Sequence, residues 1–116
     1  MTSLLNQSCK PNPSASTAVL PVPMSPAVID DHLAQVSGWR LANGAIEKTF
    51  SFKNYHETIA FVNALAWICH TEDHHPELAV SFSRCVVRFN THSVGGVSIN
   101  DFLCAAKADA LVAFVG

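Results

Sequence analysis

The chain has 116 residues, 49% of them apolar and 14% charged, with a formal net charge of −2. That is the length of one domain, apolar enough for a core and too weakly charged for a disordered polymer. Seven Lys+Arg and no basic run argue against direct binding of nucleic acid, which requires phosphate neutralisation. No apolar run reaches the roughly 20 residues of a membrane span.

Residues 1–24 carry four prolines, several Ser and Thr and no acidic residue. They offer little to bury and read as a disordered tail ahead of a folded unit over 25–116. The first ten residues lack a positive n-region and a long apolar stretch, so the expected location is the cytoplasm. Of the four cysteines, Cys69, Cys85 and Cys104 fall in apolar segments. They are expected to be reduced and packed as small hydrophobes.

Ser25-Pro26 is a helix start, a capping side chain followed by a proline suited to the first turn. Ile29, Leu33 and Val36 continue one apolar face, and Gly38 is the expected stop. Trp39 and Leu41 open a strand, Asn43-Gly44 is a two-residue hairpin turn, and Ile46–Phe52 alternates as a second strand. Asn54, with Glu57 three residues on, starts a second helix. Its apolar stripe is expected at Ile59, Val62, Leu65, Ala66 and Cys69, with Phe61 and Trp67 near the edges. Trp67, Phe50 and Phe52 are all expected in the core.

That helix should end between His70 and Asp73, because Pro76 disfavours helix at His75. Two strands follow over 78–83 and 85–91, then a turn at Gly95-Gly96. Ser98 caps a last helix with Asp101 at its third position, and Phe102, Leu103, Ala106, Ala110, Leu111 and Phe114 form its apolar side. The predicted class is α+β: a four-stranded, mainly antiparallel sheet with three helices packed on one face. An unpaired sheet edge, or the last helix, is expected to be covered by self-association.

The chemistry concentrates in His70-x-x-x-His74-His75-Pro76-Glu77 and in His92. If the last two strands form a hairpin, the second ends beside the start of the first. His74, His75 and His92 then converge on one cavity. Histidine titrates nearest neutrality, so a pair can accept one proton while donating another. Plainer readings compete: His70 can simply complement the helix C-terminus, His32 and His56 suit a surface, and Asp101 suits a helix N-terminus. A metal-binding module is a further alternative, with His70 and His74 at i, i+4 and His92 as third ligand.

The run His74-His75-Pro76-Glu77, an aromatic at Phe82, Thr91-His92 and Asp101 resembles the signature of the pterin-4a-carbinolamine dehydratases. Gly38-Trp39, the Ile46–Phe52 strand, Phe52-Lys53-Asn54-Tyr55 and Val97-Ser98-x-x-Asp101 sit at that family's spacing. The resemblance spans roughly residues 27–114. It implies a hydro-lyase that dehydrates 4a-hydroxytetrahydrobiopterin to quinonoid dihydropterin, recycling the pterin of aromatic amino acid hydroxylases. It also implies no metal and no organic cofactor.

On the same resemblance, His74 and His92 are the acid/base pair and His75 a third catalytic residue that orients the pterin. His75, Pro76, Phe82 and Asp101 are the candidate substrate-binding positions. Leu78 stands where animal members commonly carry Trp, and His70 where an acid is frequent. A homodimer or homotetramer is implied. The partnership of animal members with a homeodomain transcription factor is not carried over. A non-catalytic partner-binding protein on the same scaffold is the runner-up.

Overall fold

Local chemistry sets the helix starts. In the computed structural model, which describes Leu4, Gln7, Cys9 and residues 22–113, the Ser25 side chain accepts from the Val28 N–H ahead of α1 (Pro26–Leu33). The Asn54 side chain accepts from Glu57 N–H ahead of α2 (Tyr55–Glu72). Ser98 and Asp101 form a reciprocal capping box at α3 (Ile99–Val112). Each satisfies amides that an isolated helix start leaves unpaired.

α1 is shorter than its apolar spacing suggests: it stops at Leu33, and turns carry the chain through Val36, which is nevertheless buried. Gly38 lies beyond the helix as a turn residue at φ +87°. A Cβ there would meet the Lys48 side chain at 3.0 Å, so both conformation and space favour glycine.

β1 (Arg40–Ala42) and β2 (Ala45–Ser51) are joined by Asn43-Gly44, both at positive φ, the geometry of a tight two-residue hairpin turn. β3 (Glu77–Val80) and β4 (Arg84–Phe89) complete an antiparallel sheet of order β1-β2-β4-β3. Alternation along the central strands puts Ile46, Phe50, Cys85, Val87 and Phe89 on the buried side. Glu47, Thr49, Val86 and Arg88 take the opposite positions.

The buried stripe of α2 is Thr58, Phe61, Leu65 and Cys69. It is rotated from the expected one: Phe61 is central, Ala66 is exposed, and Trp67 stands 70% exposed outside the core. Phe102, Leu103, Cys104, Ala105 and Ala108 bring α3 onto the same core. Trp39 Nε1–H (3.1 Å) and Lys48 Nζ (2.8 Å) both donate to Asp109, tying α3 to the β1–β2 hairpin.

The tail expected over 1–24 lies mostly outside the described residues, as does Phe114. Of the described tail residues, Leu4 is buried in the main core cluster and Cys9 packs against it.

Candidate active site

Two chain reversals at one end of the sheet build the site. At the end of α2, Asp73 adopts a left-handed conformation (φ 53°) and its N–H closes on Cys69 and His70 carbonyls. This turns the chain out of the helix, so that His74-His75-Pro76 leads directly into β3. On the partner strand, β4 ends at Phe89, and a single 3-10 turn over His92–Val94 closes on Gly95, also left-handed. Thr91 pairs with Gly96 across that loop. Because Glu77 lies opposite Arg88 in the β3–β4 ladder, the start of β3 and the end of β4 are neighbours.

The three predicted histidines therefore meet. A cavity of about 300 Å³ is lined by Asp73, His74, His75, Asn90, Thr91, His92 and Ser93. A smaller cleft of about 50 Å³ continues past His75 and His92 to Glu77, Arg88 and Ala45. His75 and His92 are exposed to solvent, whereas His74 is mostly covered. The His74 ring lies nearly parallel to Phe89, centroids 6.0 Å apart. Pro76 is half-buried beside them and fixes the backbone between His75 and β3.

His74 has a specific partner. Its Nε2 is 2.6 Å from Asp101 Oδ1, and the carboxylate accepts, so Nε2–H donates. The other oxygen, Oδ2, accepts from the Ser98 amide and the Thr91 hydroxyl, each at 2.9 Å. Thr91 and Ser98 hydroxyls are also 2.6 Å apart. Asp101 is 0% exposed, and such a carboxylate persists inside a protein only when its oxygens are satisfied. The arrangement fixes the His74 tautomer and leaves Nδ1 as its nitrogen for chemistry.

The sequence-predicted positions separate as follows. His74, His75, His92 and Pro76 come together. Asp101, expected to bind substrate, lies behind His74 with no surface to offer a ligand; its reach into the cavity is through the imidazole.

Phe82, also expected to bind substrate, does not join the cluster. It occupies the β3–β4 turn, at the opposite end of the hairpin from His75 and His92, where it is 66% exposed and stacks on Tyr55. A four-residue strand sets roughly 13 Å between those ends. His70 is exposed, with its ring near Trp67 rather than turned to the cavity. The His70–His74 pair of the metal alternative is thus split by the His74–Asp101 bond. Among the described residues, no group of three His, Cys, Asp or Glu is placed to hold a metal ion.

Sequence reasoning found Thr91, Ser98 and Asp101 but not their joint role. The capping box announces one Asp101 oxygen; the second oxygen is claimed by a residue 27 positions away.

Similarity to known proteins extends over most of the chain. A family profile for pterin 4 alpha carbinolamine dehydratase matches residues 22–111. A Bdellovibrio bacteriovorus protein, "Putative pterin-4-alpha-carbinolamine dehydratase", is 59% identical over 92 residues, covering 76% of this chain and 77% of its own. Proteins of the same name from Stenotrophomonas maltophilia and Nitrosospira multiformis are 64% identical over 81 residues and 48% over 108. They cover 68% and 93% of this chain, and 70% and 91% of their own. Among solved structures, a Brucella melitensis transcriptional coactivator/pterin dehydratase superposes with a TM-score of 0.75 at 28% identity, over 77% of this chain and 97% of that one.

Proposed function

The chain belongs to the pterin 4 alpha carbinolamine dehydratase family, and on that premise we propose that it dehydrates a 4a-hydroxytetrahydropterin by proton transfer between histidines. The family's activity is that of a hydro-lyase on a pterin carbinolamine, and this chain's activity is of that class. The finer reading is that the substrate is 4a-hydroxytetrahydrobiopterin, the product its quinonoid dihydropterin, and the setting pterin recycling in the cytoplasm.

The observation that carries the histidine reading is the cavity onto which His74, His75 and His92 converge, with His74 backed by a buried carboxylate. Loss of water from the carbinolamine requires a proton on the departing 4a-hydroxyl and removal of a proton from the neighbouring ring nitrogen. His74 supplies the first, because Asp101 compensates the charge its ring carries while it holds the second proton. His92, exposed on the facing loop, takes the second. His75 lies between the cavity and the smaller cleft and orients the bicyclic ring. Each step needs only proton movement, so no covalent intermediate is invoked.

A stopped-flow assay on freshly generated 4a-hydroxytetrahydropterin tests this. His74→Ala and His92→Ala should each lower turnover by roughly 10²–10⁴-fold, the range for a positioned acid or base. His75→Ala should mainly raise KM. His70→Ala should do little, and a chelator should leave the wild-type rate unchanged. Near wild-type rates in both His74→Ala and His92→Ala, with folding verified, would remove the acid/base assignment. A wild type without turnover would leave the scaffold as a partner-binding protein.

A further inference from the structure

Three of the four thiols gather between the C-terminal turns of α2 and the first turns of α3, and none lines the histidine cavity. Cys104 of α3 is buried among them. Its sulfur is 3.6 Å from that of Cys9, and Cys69 of α2 is buried in the same core cluster. Cys85, on β4, is buried separately in the sheet. All four are free thiols.

Cys9 is specifically seated. Its backbone N–H donates to Glu72 Oε1 at 2.8 Å, and its sulfur lies 3.8 Å from the Asn100 carbonyl. It is only half-buried, whereas Cys69 and Cys104 are buried, so of the three it is the least shielded residue. Among the described residues the trio is not arranged around a metal.

We propose that Cys9 and Cys104 are a peroxide-sensitive thiol pair that closes to an intramolecular disulfide, clasping the N-terminal segment onto α3. The Cys9 sulfur attacks hydrogen peroxide, breaking the O–O bond. This gives a sulfenic acid and water, with sulfur oxidised and peroxide reduced. The Cys104 sulfur then attacks the Cys9 sulfur; the S–S bond forms, the S–O bond breaks, and the hydroxyl leaves as water with the Cys104 proton. The sum is two thiols and one peroxide to one disulfide and two waters.

The neighbouring Cys69 and Cys9 thiols, and then burial, push the Cys104 thiol up, so its proton leaves only as the S–S bond forms in that second step. The sulfurs must close by roughly 1.5 Å to reach disulfide length. Cys69 is the less available partner, since it is buried and the short sulfur contact of Cys9 is with Cys104.

The bond would link positions 95 apart in sequence. A loop that long strongly restricts the unfolded chain, so oxidation should raise Tm, by roughly 5 °C or more if native geometry is kept. The test uses the full chain at micromolar concentration, treated with hydrogen peroxide, quenched, and digested without reductant. Mass spectrometry should find loss of two hydrogens per chain, a Cys9–Cys104 peptide pair, and a Tm rise that dithiothreitol reverses.

Cys9→Ser should lose the linked pair and the Tm rise, whereas Cys69→Ala should keep both. In Cys104→Ala the Cys9 sulfur, lacking its resolving partner, should instead gain oxygen. If that variant does not fold, the Cys9→Ser and Cys69→Ala results decide alone. A dominant Cys69–Cys104 link, a Cys9–Cys9 link between chains, or wild-type Cys9 that gains oxygen without linking would each overturn the proposal.

Discussion

Asp101 shows how one side chain serves both fold and chemistry. Its Oδ2 belongs to the helix cap and to Thr91, and its Oδ1 to His74. Replacing it by Asn keeps the shape but puts an NH2 group where one of two acceptor oxygens stood. Either the cap or the His74 Nε2–H loses its acceptor, and the imidazole is no longer held in one tautomer. Asp101→Asn should therefore lower turnover by about 10²-fold or more and displace the limb of the kcat–pH profile that reports the acid group. Loss of stability alone would leave that limb in place. His74-His75 and His92 were legible in sequence because antiparallel strands bring their flanking loops together whatever the side chains do. The Asp101–His74 bond was not, since one-dimensional spacing announces only the capping oxygen. Phe82 shows the opposite limit: its match to a motif position carried no information about which end of a hairpin it would occupy.

At the scale of elements, contacts that close within a few residues were readable and those chosen by packing were not. The helix caps at Ser25, Asn54 and Ser98 and the Asn43-Gly44 turn all form as their local chemistry dictates. α2 is apolar on nearly every side between Ile59 and Cys69, so periodicity cannot choose its buried stripe; the sheet and α3 choose Phe61 over Ala66. Ser98→Ala should cost about 1–2 kcal/mol, the upper range for a lost cap, because it also removes a partner of the Thr91 hydroxyl. Urea unfolding at neutral pH measures it. Across the open face of the sheet, hydrogen bonds from Arg40 on β1 and Arg88 on β4 hold the Glu47 carboxyl of β2 below its ordinary range. A carboxyl depressed in the folded state stabilises above its unfolded value, and that contribution is lost as pH falls through the folded one. As pH falls through and below the ordinary carboxylate range, the wild type should lose stability more steeply than Glu47→Gln. Parallel acid-limb profiles for the two proteins would remove Glu47 from the account.

For the whole molecule, the surface left uncovered argues for assembly at the sheet edge, one of the two places the sequence offered, rather than at Phe102 and Leu103 of the last helix. Phe102 and Leu103 of α3 were expected to offer apolar surface; they are fully buried in the chain's own core. The uncovered groups lie on the β3 edge and on α2. β3 is a short edge strand with Ala79 and Val80 open to solvent. On α2, Trp67 stands free above a groove of about 320 Å³ that it lines with Ile68, Ala110 and Leu111. An edge strand offers backbone donors and acceptors that a second copy can pair. An aromatic side chain exposing most of its surface offers up to about 150–250 Å² for burial, or roughly 4–6 kcal/mol at 25 cal/mol per Å². In a twofold assembly every such contact occurs twice. Sedimentation velocity at micromolar concentration should therefore show a dimer or larger for the wild type. Trp67→Glu, which places a charge at that contact while leaving the core untouched, should shift the distribution to smaller species at unchanged helix content. If the wild type sediments only as a monomer, both surfaces are simply exposed and self-association is wrong. If the variant assembles as the wild type does, the α2 face is not involved and the β3 edge alone must account for the oligomer.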